Sequence, residues 1–462
     1  MYQLNEFITR IHGSLISSPG VQTITGISID TRTIKPGDCF FAIRGAHFDG
    51  HSFLDEAYKK GASASVVDHA SWSKRVKHDD AEYVTRMRQL PNVIVVHDTI
   101  QSLGLLASSI REGFGGICVG ITGSCGKTTT KEYVSLVLGT RYTVMSNCGN
   151  YNNAIGLPLT LLNVTEAHKA LVCEMGAAQQ GDIAYLSHIL KPTVGIITNV
   201  HPAHLETFKT LENVYRTKLE LAEYLDSING TLIINGDDEK LIREARKYHV
   251  SLITVGRSAH CDFVLTNTEC TDRKITFVVN SKYTFTINTI AHFNVYNALA
   301  ALALADFCQI SFTTLTGIFT HYEELNGRFK IYGKDTLIID DTYNANPFSF
   351  SQSLQAFRKI KVQRKKIVVC GDMLELGPDS KKFHRELGKE LIDAGANVVV
   401  ALGDLTAETI KAIEESNADI RCVNCENNKA AIDFLKSELV QGDAVLLKGS
   451  RGMKLEEIAG AL

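Results

Sequence analysis

Residues 120–129 read Gly120, Ile121, Thr122, Gly123, Ser124, Cys125, Gly126, Lys127, Thr128 and Thr129, directly after the apolar run Ile117, Cys118, Val119 and directly before a helix-like segment. A strand that breaks into glycines and resumes as a helix demands a sheet with helices packed on it. The glycines let successive backbone N–H groups turn toward an anion, the Lys127 ammonium can reach terminal phosphates, and the Thr128 hydroxyl can ligate Mg²⁺. The loop therefore points to a nucleoside triphosphate. Its spacing departs from the usual phosphate loop, which has four residues between its first glycine and the Gly-Lys pair. Here five separate Gly120 from Gly126, and the position reserved for glycine holds Ile121.

The rest of the chain supplies such sheets. Short apolar runs at 24–29, 39–43, 64–67 and 92–96, broken by turn signals, predict a small α/β unit over 1–105. Runs at 117–121, 171–174, 194–199, 232–235 and 252–255 alternate with longer helical patterns and predict a central, mainly parallel sheet flanked by helices over 106–318. Runs at 337–341, 367–372, 398–403 and 444–449 repeat the alternation and predict a third, Rossmann-like α/β unit over 319–462. In such sheets ligands gather beyond the carboxyl ends of the strands, so polar residues that close a run are candidates for a site.

With 462 residues the chain is too long for one core, and a net charge of -3 gives no reason to expect nucleic acid or an anionic membrane as partner. The longest apolar stretch, 297–308, is too short to span a bilayer and carries Asp306, and the first residues lack a secretory pattern, so a cytoplasmic address is expected. Eleven scattered cysteines, odd in number, read as reduced thiols; Cys422 and Cys425 are the only close pair, with no second pair or His cluster to make a zinc site.

Several run-closing residues can carry chemistry. Glu174 ends a buried-type strand, where a carboxylate is costly unless it meets a cation or donors, and Mg²⁺ suits an oxygen ligand near a phosphate loop. A cap or a salt-bridge partner would satisfy the same position. His204 follows the next strand and could join it on a metal, or be plain polar surface. Lys218, by its immediate neighbours, reads as an ordinary solvated helical lysine. The amide-dense stretch 149–158, with Asn150 and Asn153, suits a polar substrate or a plain turn. Asp340, Asp341, Tyr343, Asn344 and Asn346 close a strand of the third unit and suit ribose, phosphate-bound water or a peptide-like ligand, or again a turn. Lys448 and Arg451 close another strand, where their cations could neutralise phosphate or carboxylate.

Taken in order, these segments resemble the Mur ligases, ATP-dependent ligases that build the peptide stem of the bacterial cell-wall precursor. The resemblance runs over nearly the whole chain. That family's loop has the form T-G-[ST]-x-G-K-[ST], which residues 122–128 match and which accounts for Ile121. Stretches 174–177, 340–347 and 371–377 are most similar to the member that adds D-alanyl-D-alanine to UDP-N-acetylmuramoyl-tripeptide, and the Asp-Asn-Pro-Arg signature of the diaminopimelate-adding member is absent.

The resemblance implies ATP held by Thr122, Gly123, Ser124, Cys125, Gly126, Lys127, Thr128 and Thr129, by Asn294 and Asn297 near the adenine, and by Arg328 and Asp341. It implies a metal centre, expected to hold two Mg²⁺, served by Thr128, Glu174, His204 and Lys218, the last falling where the family has a lysine that becomes carbamylated. Lys127, Glu174, His204 and Lys218 would then be the catalytic set. It places the UDP-sugar end of the substrate on Ser28, Thr31, Arg32, Arg44, Gly45, Asp49, Gly50 and His51, with Asn150, Asn153, Tyr343, Asn344 and Asn346 also on substrate. A monomer is expected.

Two departures stand out. The family's Gly-x-His-Asn-x-x-Asn is Ala291 to Asn297 here, with Phe293 at the His position, and His201 and Pro202 replace a more usual Gly-Glu. Two other readings remain open: a nucleotide hydrolase that ligates nothing, and a ligase of the same scaffold with another amino-acid or peptide acceptor.

Overall fold

The computed structural model describes residues 1–45, 48–77, 81–271 and 273–462. It separates into two compact units: Met1–Gly120 with Tyr142–Met175 and Ala184–Thr193, and Ile121–Arg141 with Gly176–Ile183 and Val194–Leu462.

In the first unit a five-stranded sheet runs in the order Ser14–Leu15, Val93–Val96, Ala64–Asp68, Asp38–Phe41 and Gly26–Ser28. Only the Ser14–Leu15 pairing is antiparallel. Its middle strands are buried on both faces, which is why they read as unbroken apolar runs. Phe41, Val66 and Ile94 pack on one side with Leu103 and Leu106, while Phe40, Val67 and Val95 pack on the other with Leu54 and Ala57. Leu103 and Leu106 come from helix Thr99–Glu112, started by Asp98, whose carboxylate accepts from Gln101 N at 2.8 Å. Strand Ala170–Glu174 pairs in parallel with Val144–Ser146 in the same unit.

The second unit carries the parallel ladder Val194–Ile197, Thr231–Asn235, Ser251–Gly256 and Phe263–Thr271. Two antiparallel strands, Lys274–Val279 and Tyr283–Ile287, extend it. These last strands were not among the sequence expectations, because Lys274, Thr276, Thr284 and Thr286 interrupt the apolar run. Helix Lys127–Gly139 packs along helix Phe293–Phe307, which is buried over most of its surface by Val295, Ala298, Leu299, Ala301, Leu302 and Ala305. The apolar stretch 297–308 is thus a core helix, and among the described residues no helix is long and apolar enough to cross a membrane.

A six-stranded sheet completes this unit in the order Lys330–Tyr332, Leu337–Asp340, Ala444–Lys448, Lys366–Gly371, Val398–Leu402 and Arg421–Cys425. Only its first strand is antiparallel, and apolar side chains cover both faces. The ends of three neighbouring strands bring Asp341, Lys448 and Asp372 to one edge, where an open α/β sheet holds its ligands. All eleven cysteines are free thiols, Cys422 and Cys425 included.

Candidate functional site

The phosphate loop joins strand Ile117–Thr122 to helix Lys127–Gly139 through two glycines in left-handed or more open backbone, Gly123 at φ 148° and Gly126 at φ 80°. Neither tolerates a side chain. A Cβ at Gly123 would lie 2.0 Å from Thr198 Oγ1, and one at Gly126 2.6 Å from Asn297 Oδ1. The loop is tied to the segment after strand Val194–Ile197. Asn199 Oδ1 accepts from Cys125 N at 3.0 Å, Thr198 Oγ1 donates to Cys125 O at 2.6 Å, and Ser124 N donates to Asn199 O at 3.0 Å. The Lys127 ammonium folds back to donate to Gly123 O at 2.8 Å, placing its charge over the cradle. Thr198 and Asn199 were missed as loop supports; their signal was a polar Thr-Asn closing a buried strand.

Asn294 and Asn297 are buried on the first turns of the core helix. Asn297 Oδ1 accepts from Thr130 Oγ1 at 3.1 Å, and its amide donates to Asn294 Oδ1 at 3.0 Å. Asn297 therefore braces the phosphate-loop helix. Phe293, at the family's His position, turns its ring edge-on to Phe329, centroids 6.1 Å apart.

Lys218 corrects its solvated reading: its side chain is 3 % exposed. On helix Leu211–Asp226 it shares a stripe with buried Val214, Leu221 and Leu225, at four- and three-residue steps. No acceptor or carboxylate among the described residues pairs with its Nζ, which lies 5.8 Å from the Phe208 ring centroid. Burial, and next the Lys127 ammonium, pull its pKa down to about 7, against the opposing pull of Glu220 and Asp182. With its pKa at about 7, this lysine holds its proton only in part near neutral pH.

The 319–462 segment meets the loop directly. Arg328 Nη2 donates to Thr128 Oγ1 at 3.0 Å while its guanidinium lies 3.7 Å from the Tyr343 ring centroid. Asp341 accepts from buried Lys448 Nζ at 2.6 Å, and Lys448 also reaches Asn344 O at 3.1 Å. Asn344 Oδ1 accepts from Arg451 N at 3.3 Å. Asn346 caps helix Pro347–Lys359, its Oδ1 accepting from Ser349 N at 2.8 Å, and its amide lies 3.2 Å from Cys125 Sγ. His204, in left-handed backbone at φ 52°, pairs through Nδ1 with Glu375. Burial lowers its pKa and the Glu375 carboxylate opposes the shift. Glu375 was not anticipated, although it lies in the 371–377 stretch.

The other expected residues belong to the first unit. Glu174 is buried; its Oε1 accepts from Asn152 Nδ2 at 2.7 Å, and its backbone N–H donates to Asn147 Oδ1 at 2.9 Å. Asn147 and Asn152, which were not among the expected site residues, are amides that meet Glu174. Asn150 is exposed, and Asn153 Oδ1 accepts from Ile155 N at 3.1 Å and from Gly156 N at 2.9 Å just ahead of helix Gly156–Leu161.

Ser28 Oγ donates to Asp30 O at 3.0 Å, and Thr31 Oγ1 to Glu56 at 3.0 Å. Arg32 is exposed and grips Asp30 with two nitrogens, holding that carboxyl down to about 2. Arg44 reaches Asp49 at 3.3 Å and Ser71 Oγ at 2.6 Å. His51 donates from Nδ1 to Asp49 at 2.6 Å and accepts at Nε2 from Asp68 N at 3.1 Å, which fixes its tautomer. Gly45 N donates to Phe48 O, and a Cβ at Gly50 would lie 2.7 Å from the Ile43 backbone. Among the described residues no three His, Cys, Asp or Glu side chains form a ready metal cluster.

Comparison with known proteins bears on the chain as a whole. Three family models match in sequence order: the Mur ligase family catalytic domain over 23–111, the Mur ligase middle domain over 121–305, and the Mur ligase glutamate ligase domain over 327–451. The UDP-N-acetylmuramoyl-tripeptide--D-alanyl-D-alanine ligase of Bacillus subtilis is 32% identical over 452 residues, 97% of this chain and 95% of that one. A crystal structure of MurF from Acinetobacter baumannii superposes with TM-score 0.87 at 27% identity, covering 99% of this chain and 98% of that one. MurF ligase from Thermotoga maritima, solved in complex with ADP, superposes with TM-score 0.79 at 30% identity, covering 94% and 96%.

Proposed function

The chain belongs to the Mur ligase family, and from this we infer that it is an ATP-dependent carbon–nitrogen ligase joining D-alanyl-D-alanine to UDP-N-acetylmuramoyl-tripeptide in peptidoglycan precursor synthesis. The observation that carries the reading is likeness to ligases of that specificity over nearly the full chain, joined to a phosphate loop built for a nucleotide.

A carboxylate does not condense with an amine in neutral water, because oxide is a poor leaving group. In the proposed reaction the terminal carboxylate of the tripeptide attacks the γ-phosphorus of ATP and ADP leaves. The amine of D-alanyl-D-alanine then attacks the acyl carbon, phosphate departs and the amide is formed. Lys127 and the N–H groups of the loop stabilise charge that spreads over the phosphoryl oxygens, by position and electrostatics rather than by a protein nucleophile. Cys125 is half-buried in the loop, with its thiol pKa raised by desolvation, and is proposed to take no part as a nucleophile.

Mg²⁺ would neutralise phosphate charge. Its proposed donors are the Thr128 hydroxyl, His204, Glu174 and Lys218, the last only after reaction of its free amine with CO₂ gives an anionic carbamate. The buried amine, with a pKa of about 7 and no carboxylate partner among the described residues, supports that assignment, since an ammonium neither adds to CO₂ nor ligates a cation. Arg328 and Asp341 are proposed for ATP, as is Asn294 near the adenine. Asn297 is proposed to serve ATP by bracing the loop. Tyr343, Asn344 and Asn346 are proposed for the incoming dipeptide, and residues 28–51 together with Asn150 and Asn153 for the UDP-linked substrate. Domains 1–105, 106–318 and 319–462 are proposed; the three family-model matches, over 23–111, 121–305 and 327–451, support a three-part order though the first runs past residue 105. We place the reaction in the cytoplasm, carried out by a monomer.

The test is ADP release with UDP-N-acetylmuramoyl-tripeptide, with and without D-alanyl-D-alanine. Sustained release is expected only with both substrates. Release equally fast with neither would leave a nucleotide hydrolase.

A further inference from the structure

His201 and Phe348 stack with ring centroids 3.3 Å apart and planes 16° from parallel. Each ring is anchored to something that matters for the nucleotide. The His201 backbone is tied twice to the phosphate loop: its N–H donates to Ser124 Oγ at 2.9 Å, and that hydroxyl donates to the His201 carbonyl at 2.8 Å. Phe348 is the second residue of helix Pro347–Lys359, and Asn346, which caps that helix, holds its amide 3.2 Å from Cys125 Sγ. One helix start therefore reaches two successive loop residues, Cys125 directly and Ser124 through His201, whose ring meets Phe348 and whose backbone bonds Ser124.

We propose that His201 is a positioning residue for ATP: an aromatic plate that makes the geometry of the phosphate loop depend on the seating of helix Pro347–Lys359. The proposal rests on the ligase reading for its consequence. An acyl phosphate must be kept from water until the amine arrives, and a loop that grips the nucleotide fully only when this helix is seated links the two conditions. The more usual Gly-Glu at this place offers no ring, so the coupling belongs to this chain's own His201 and Phe348. Burial lowers the His201 pKa to about 4, so the plate is neutral at working pH and a phenyl ring can replace it.

The test compares His201→Ala, His201→Phe, Phe348→Ala and the double variant His201→Ala/Phe348→Ala. A stacked aromatic pair is worth about a 2- to 10-fold effect. His201→Ala is expected to raise the KM for ATP by that factor and to release ADP in excess of amide, with a smaller change in kcat at saturating ATP. His201→Phe is expected to restore both quantities and leave the pH–rate profile unchanged, and the double variant to be no worse than His201→Ala alone. Wild-type KM and stoichiometry in His201→Ala, failure of His201→Phe to rescue, or fully additive single effects would overturn the proposal. ADP affinity by calorimetry, without peptide substrates, reads the loop separately from ligation. If the wild type formed no amide, weaker ADP binding in His201→Ala and its recovery in His201→Phe would still support the plate, whereas unchanged affinity would overturn it.

Discussion

The phosphate loop and the Lys218 side chain lie in one unit of the molecule and treat their polar groups in opposite ways. Around the loop, the Cys125 and Ser124 amides, the Cys125 carbonyl and the Lys127 ammonium all have protein partners. Lys218 is buried, more deeply than Ser124, Cys125 or Lys127, and has no acceptor among the described residues. The first arrangement fixes a shape in advance, so that binding costs little reorganisation. The second holds a group in an unfavourable state, and its low pKa records the cost. The contrast lies in the loop amides, the Cys125 carbonyl and the two ammonium groups; the buried Thr122 hydroxyl, which has no hydrogen-bond partner among the described residues, stands apart from it.

Substitutions can break this contrast, the largest effect first. Lys127→Ala is expected to lower kcat/KM for ATP about 10³-fold in steady-state assays, since it removes the cation aimed at the developing phosphoryl charge. Lys218→Ala should cost about 10²-fold or more in turnover and be partly rescued by short carboxylic acids, on the scale of losing one transition-state contact; full activity would remove Lys218 from the site. In the wild type, turnover should fall as pH drops below about 7, where the amine gains its proton and can no longer take up CO₂.

Stability offers an independent reading of the same lysine. Its folded pKa is depressed, so between about 7 and 10.4 the unfolded chain holds a proton that the folded chain does not, and wild-type stability rises with pH across that window. Lys218→Met should therefore raise the melting temperature most at or below neutral pH, with the gain shrinking toward pH 10, while abolishing most activity. Gly126→Ala attacks the other side of the contrast. Left-handed backbone and a 2.6 Å approach to Asn297 should weaken ADP binding about 10-fold in a titration, for strain of about 1–3 kcal/mol. Asn346→Ala, which removes a helix cap, should cost about 1 kcal/mol in denaturant unfolding, and Asn346→Asp should retain most of it.

The elements that are continuous in sequence were legible. The strand-loop-helix of the phosphate site and the buried parallel strands follow from glycine placement and apolar runs. Lys218 was legible in principle, because Val214, Leu221 and Leu225 put it on the apolar stripe of its helix, but its charge and its immediate neighbours argued the other way. What could not be read were pairings across long stretches of chain: Thr198 and Asn199 under the loop, Asn297 against Gly126, Glu375 on His204, and Asn147 with Asn152 on Glu174. Asparagines were the most ambiguous residues, because one amide serves equally as ligand contact, cap or brace. Asn346 caps a helix, Asn153 accepts from the Ile155 and Gly156 amides, and Asn297 braces the loop helix, roles that leave their proposed ligand contacts open to test.

The central claim, ligation through an acyl phosphate, is tested most directly by isotope transfer. UDP-N-acetylmuramoyl-tripeptide labelled with ¹⁸O in its terminal carboxylate is turned over with ATP and D-alanyl-D-alanine, and the released phosphate is examined by mass spectrometry. The account predicts one ¹⁸O in phosphate for every amide formed, because the carboxylate oxygen that attacks phosphorus leaves with it. Unlabelled phosphate accompanying a full yield of amide would contradict it.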